Sequence, residues 1–498
     1  MNLHFLIENE PIRKFLIKYL STKDIIQLSY IFPRTIIKDT YICKNIYKIL
    51  QKNNRLTENC REKITCWREF LEENNKVIKQ NLILLSDAIK RNHVDDVIKF
   101  CNEGVNINDS LAFFYETVLM TACWQKNAEI LEYLIHRNAD LNITTDIGNT
   151  ALHISVLNLA KNCFDVLVKS GADLNIKNKF GNTPLMMACE NKIYDYAEKI
   201  LDHGASLFEK NSLGKTALDY VCEHDCLYLA RIFIERGANV HHQKKNGSTI
   251  VYGCARNGNY KTMKYLLLNT SAREDVNIPC NDGYYPIHMA CVHSSAIGLQ
   301  IACLLFMFGA EVNVKNSKGL TPLHIAIDKT DVSMISLLIS KGAEVHDDLW
   351  DMNIPISGVG VAYNEHTRSY TCPELVGVSP LLLACEKRNI EIVRMLVLST
   401  PNINLNVIDK NGKTPLMVAV ENSSLDIVEF LLSEENNNIN KVKINQRDFI
   451  GRTALFLAIR HMNRDIISHI IAKGGDLSIC DNQGKNAIDQ AEDLGINL

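Results

Sequence analysis

The stretch Gly319-Leu-Thr-Pro-Leu-His-Ile-Ala326 decides the fold, because versions of it recur down most of the chain. It returns as Gly148-Asn-Thr-Ala-Leu-His153, Gly181-Asn-Thr-Pro-Leu-Met186, Gly214-Lys-Thr-Ala-Leu-Asp219, Gly247-Ser-Thr-Ile-Val-Tyr252 and Gly283-Tyr-Tyr-Pro-Ile-His288. Further copies start at Gly377, Gly412, Gly451 and Gly484, and the successive intervals are 33, 33, 33, 36, 36, 58, 35, 39 and 33 residues. The glycine suits a tight turn with positive φ. Thr two residues on can cap a helix, and Pro in the first helical turn forfeits no hydrogen bond. A second apolar-periodic helix follows, as in Glu129–Ile135 and Glu391–Val397, and Gly-Ala-Asp or Gly-Ala-Glu ends it.

A period near 33 carrying Thr-Pro-Leu-His-x-Ala resembles the ankyrin repeat family, and Thr321 to Ala326 matches that phrase at every position. The resemblance covers residues 81–498 and predicts an all-α ankyrin-repeat solenoid of helix-turn-helix units with short hairpin tips. The ends are degenerate: residues 84–108 and 113–142 keep the helical pattern without the turn glycine, and the last copy stops after one helix, near Leu494. Interval 58 holds an insertion, residues 347–376, that divides the array into blocks 81–346 and 377–498 and marks its expected weakest junction.

The family binds protein partners through its hairpin tips and first helices, so the resemblance implies a partner on the concave face. The residues just before and just after each turn glycine are expected at the tips. Ile147, Phe180 and Leu213 precede three successive glycines and predict an exposed apolar ridge. Tyr284, Tyr285 and Trp124 add aromatic candidates.

The whole chain has 498 residues, a formal charge of −3, 46% hydrophobic and 22% charged residues, which excludes global disorder and a protein built mainly to hold nucleic acid. No apolar run is long enough to span a bilayer, and the start lacks the basic segment of a secretory signal, so an intracellular monomer with reduced cysteines is expected.

Residues 1–80 carry 15 basic and 9 acidic side chains and no copy of the repeat phrase. They divide into a small helical module, 1–50, and a helical linker, 51–80. In the module, Leu20 ends one helix, Asp24-Ile25 opens the next, and Leu28-Ser29 and Ile31 follow. This order resembles the F-box family, although Asn9 stands at that family's proline place and Thr35 where it often has Trp. The resemblance implies docking to the Skp-type linker of a cullin ubiquitin ligase through Leu16, Leu20, Ile25, Leu28 and Ile31, with the array holding the substrate. The alternative is an ankyrin scaffold or inhibitor with no ligase link, its first helices a plain cap. The Asn- and Ile-rich composition suggests an AT-rich genome, and chains of this style resemble proteins of large DNA viruses and intracellular bacteria that act in a host cytoplasm.

No catalytic, cofactor or metal site is expected. Gly214-Lys-Thr216 and Gly412-Lys-Thr414 lack the earlier glycine of a phosphate loop, having Glu209 and Val407 there. Cys222-Glu-His224-Asp-Cys226 has no second ligand cluster to complete a zinc site. Cys123, Cys189, Cys222, Cys291 and Cys385 share one phase and Cys254 lies one residue off it, which predicts a small buried slot. His153, His288 and His324 also share a phase, and the resemblance implies that they bond neighbouring repeats.

Overall fold

The computed structural model describes residues 80–103, 105–110, 115–293, 296–345, 362–364, 369–371, 379–436 and 438–495. The F-box-like positions Leu16, Leu20, Ile25, Leu28 and Ile31 lie outside them, as does most of the insertion. Two compact units divide at Asp140 and Leu141. The first contains a helix over 80–90 followed by Val94–Asn102, then Val118–Trp124 followed by Ala128–His136. Both degenerate leading repeats are therefore complete helix pairs.

In the second unit an inner helix of about two turns alternates with a longer outer one. The pairs begin with Ala151–Leu157 and Lys161–Lys169, then Pro184–Glu190 and Tyr194–Asp202, then Ala217–Glu223 and Leu227–Glu235. The series ends at Arg464–Ala472 with a single further helix, Ala487–Asp493. The inner helices start where the repeat phrase places them. Thr150, Thr183, Thr414 and Thr453 each cap a helix by accepting an N–H from three residues on. Pro184, Pro322, Pro380 and Pro415 stand in first turns, where a missing N–H is harmless.

An inner helix is enclosed by its outer partner and by both neighbouring inner helices, so nearly every side chain is buried. In Pro184–Glu190, for example, Pro184 through Cys189 are all buried. Outer helices bury one face only: Lys161–Lys169 buries Cys163, Phe164, Leu167 and Val168 and leaves its polar residues to solvent. Stacking continues across the insertion. Pro322–Asp328 packs against Pro380–Glu386, and Lys387 reaches back to Asp328 at 2.8 Å. Within the insertion, Ala362–Asn364 pairs antiparallel with Ser369–Thr371.

Successive tips are joined backbone to backbone. The carbonyl before each turn glycine accepts an N–H from the next tip: Lys179 to Ile147 at 2.9 Å, Ser212 to Phe180 at 2.9 Å, Lys245 to Leu213 at 3.1 Å and Asn281 to Asn246 at 2.8 Å. The glycine permits this approach. Gly181 has φ of +77°, and a Cβ there would meet Ser212 N at 2.7 Å and Asn211 Cα at 2.8 Å. At Gly319, where the insertion follows, φ is +76° but a Cβ would meet nothing within 4 Å among the described residues. Gly181→Ala should therefore destabilise its junction by about 2–3 kcal/mol, combining dihedral strain and collision, and Gly319→Ala by about 1 kcal/mol from strain alone. Native-state hydrogen exchange of the flanking inner helices checks the difference; equal loss at the two sites would contradict it.

Candidate interaction surface

Because each tip is tied through its backbone, the side chain before the glycine is left pointing outward. Ile147 is 45% exposed, Phe180 61% and Leu213 50%, on three consecutive hydrogen-bonded tips. The residue after the glycine behaves oppositely. Asn149, Asn182, Lys215 and Ser248 are all buried, and Tyr284 joins them at 6%. The expectation that Tyr284 meets a partner is thus corrected: the left-handed glycine turns the next side chain back into the stack, where Tyr284 packs edge-on against His288. Tyr285 is half-buried and stands at the helix N-cap, its N–H donating to His288 Nδ1 at 3.1 Å. Trp124, in the first unit, is 41% exposed and its Nε1 donates to Glu116 at 3.1 Å. Tyr115 takes the turn-glycine place in that repeat, with φ of 52°. Sequence reasoning missed Ile450, which also precedes a turn glycine and is exposed beside Phe449. Its position in the phrase was the available signal.

The in-phase histidines hold neighbours together. Thr150 N–H donates to His153 Nδ1 at 3.2 Å, which leaves the proton on Nε2 to be donated to Asn182 O at 3.1 Å, one repeat on. His288 makes the same link to Leu320 O at 2.9 Å. Burial lowers the pKa of both imidazoles to about 4, against the smaller opposing effect of the accepting carbonyls.

The copy at Gly214 replaces this histidine by Asp219, and the neighbours change with it. Asp219 is fully buried, accepts Thr216 N–H at 2.8 Å, and has His242 Nε2 at 2.6 Å and Lys244 Nζ at 3.4 Å. Lys244 also reaches Glu223 at 2.9 Å, and Lys215 reaches the other oxygen of Glu223 at 2.6 Å. Burial alone would raise the Asp219 pKa, but Lys244, His242 and Thr216 outweigh it and hold the carboxyl at about 2. The partners at 242 and 244 belong to the following tip, so the cluster is an inter-repeat bond made of charge. Its sequence signal was the joint appearance of Asp in the His place and Lys244 where other tips have Asn178 or Asn211.

Family models agree with this geometry. Models for ankyrin repeats match residues 85–178, 160–244 and 361–448, residues 267–326, and residues 318–348, together about two thirds of the chain. The chain belongs to the ankyrin repeat family. A putative ankyrin repeat protein of fowlpox virus is 34% identical over 98 residues, 19% of this chain and 27% of its own. Human Rabankyrin-5 is 32% identical over 162 residues, 30% of this chain and 14% of its own. The mouse B-cell lymphoma 3 protein homolog is 31% identical over 170 residues, 30% of this chain and 36% of its own. The chain thus spans well under half the length of these relatives.

The in-phase cysteines belong to the packed interior. Cys123, Cys189, Cys222, Cys254, Cys291 and Cys385 are buried, and burial pushes the Cys385 thiol up to about 12. Among the described residues no group of three or more His, Cys, Asp and Glu is placed to hold a metal, and no helix is long and apolar enough to cross a membrane. One expectation is amended. A hydroxyl and an imidazole do come together: Ser271 Oγ lies 2.5 Å from His241 Nε2, whose Nδ1 lies 3.0 Å from buried Asp275. Hydrolysis also requires oxyanion donors and a water-excluding setting, whereas the His241 side chain is 38% exposed. The trio is a clasp between two repeats.

These buried groups set the acid sensitivity of the array. An unfolded histidine takes a proton near pH 6.5, while folded His153 and His288 resist it to about 4, so each withdraws about 3 kcal/mol of stability as pH falls through that window. Asp219 acts lower: its contribution is complete above its unfolded pKa of 3.8 and lost as pH falls toward 2. The double variant His153→Gln with His288→Gln should melt lower than wild type at pH 7.5, yet show a flatter melting temperature between pH 6.5 and 4. Equal slopes in that window would contradict the assignment.

Proposed function

We propose that this chain is a non-enzymatic protein-binding scaffold, and specifically a substrate-recruiting adaptor of a cullin-type ubiquitin ligase. The observation that carries the scaffold reading is the row of exposed apolar side chains Ile147, Phe180 and Leu213 on tips whose backbones are hydrogen-bonded to one another. Backbone tethering holds these side chains in fixed positions before any partner arrives, which reduces the ordering cost of binding. The buried imidazoles His153 and His288, the in-phase thiols and the Asp219 cluster belong to the packing within and between repeats.

The adaptor reading rests on Leu16, Leu20, Asp24, Ile25, Leu28 and Ile31, which follow the order of an F-box. In that arrangement the first helices grip the Skp-type linker and the array presents a captured protein for ubiquitin transfer. A host-cell setting is supported by the composition and by the fowlpox relative.

A pull-down with the linker subunit tests the adaptor directly. The full chain should retain the linker, and the double variant Leu20→Asp with Ile25→Asp should lose it through about 3 kcal/mol or more of affinity, since docking energy concentrates in a few buried apolar side chains. The array should keep its melting behaviour, because repeat stability is local. Failure of the unmutated chain to retain the linker would remove the adaptor role and leave the scaffold without a ligase link.

A further inference from the structure

The ridge carries charge as well as apolar surface. In the four residues before each of three turn glycines the chain reads Lys177-Asn-Lys-Phe180, Lys210-Asn-Ser-Leu213 and Gln243-Lys-Lys-Asn246. Lys177 is paired with Glu209 at 2.6 Å, and Lys244 is consumed by the buried cluster with Asp219 and Glu223. Lys179, Lys210 and Lys245 are exposed and have no ion-pair partner among the described residues. Three unpaired ammonium groups therefore lie on the same consecutive tips as Phe180 and Leu213, in a chain whose overall charge is −3. The next residues in the pre-glycine row are Asn246, Asp282 and Lys318, so the apolar row stops at Leu213 and the basic one runs a tip further.

We infer that this edge takes an acidic protein segment in extended conformation, with an apolar side chain at about every third residue and Asp or Glu between. The inference rests on the scaffold reading and names its partner class. Packed helices lie about 8–10 Å apart, which sets the step from tip to tip. An extended chain of polyproline-II type advances about 3.1 Å per residue with three residues per turn, so every third side chain returns to the same side and meets the next tip. Ile147, Phe180 and Leu213 then receive three apolar groups in register, while Lys179, Lys210 and Lys245 meet the carboxylates between them. Opposite charge at an exposed rim speeds encounter and fixes register, and the aromatic ring at the centre supplies the anchoring contact. An anionic plane, such as a lipid surface or a nucleic acid backbone, fits less well. It would face Asp146 and exposed Glu190 on the same repeats, whereas a single strand can place its acids only opposite the lysines.

The test selects a random twelve-residue peptide library displayed on phage against the full chain. Two variants serve as counter-screens: Ile147→Ser with Phe180→Ser and Leu213→Ser, and Lys179→Glu with Lys210→Glu and Lys245→Glu. All six positions are exposed, so both variants should melt as wild type does. Enriched peptides should combine apolar and acidic residues, bind each variant about tenfold or more weakly, and weaken as salt rises. Peptides of no particular charge, peptides indifferent to both variants, or equal retention on phosphatidylserine vesicles or single-stranded DNA would overturn the inference. Peptides that bind the array elsewhere would overturn it while leaving the scaffold reading intact. A library that enriches nothing would remove both.

Discussion

A single backbone hydrogen bond, repeated from tip to tip, governs how this chain can be used. The carbonyl preceding each turn glycine accepts an N–H from the following tip, as between Ile147 and Lys179 or Phe180 and Ser212. That bond requires the two backbones to approach more closely than a Cβ would allow, which is why the position is glycine at Gly148, Gly181, Gly214 and Gly283. From Gly148 to Gly283 it also fixes how the neighbouring side chains face. The side chain before the glycine goes to solvent and the one after it goes into the stack. A row of outward side chains with fixed spacing is thus a consequence of how the repeats hold together.

Inside the stack, one requirement is met in two ways. At several inner helices the fourth residue of the capped turn is polar and bonds the next repeat. His153 and His288 do so as neutral donors to a carbonyl. Asp219 does so as a buried anion matched by Lys244 and His242. Replacing a neutral bond by a buried ion pair brings a desolvation penalty that only close, well-satisfied geometry offsets. Here Thr216 donates to Asp219, Lys244 bridges Asp219 and Glu223, and Lys215 pairs with Glu223. Removing one partner of such a cluster leaves the other charge buried and unpaired, which ties the repeats at 214 and 247 to each other.

Much of this was legible in the sequence because the repeat phrase encodes local physics. Turn glycine, capping threonine, first-turn proline and the small cysteine slot each follow from what a short helix needs at that position. The outward row at Ile147, Phe180 and Leu213 could be read for the same reason. Tyr284 could not, because its facing depends on the handedness of the preceding glycine, not on its own character. The Asp219 cluster was hidden because its partners come from the next repeat and look like solvated tip lysines in isolation. The turn between the two helices left no mark at all: Leu159, Lys192, Asp225 and Met462 all adopt positive φ there, where glycine appears only at Gly258. Packing on both sides imposes that conformation on whatever residue is present.

The central claim is that the tip bonds exist in solution and set which side chains face outward. Amide hydrogen exchange of Lys179, Ser212, Lys245 and Asn281 in the full chain measures it directly. Each of these amides donates to the tip before it. The account predicts that all four exchange slowly, with protection comparable to that of the inner helices beside them. Exchange at the rate of an open surface loop would show that the tips are not joined, and the outward row would lose its structural basis.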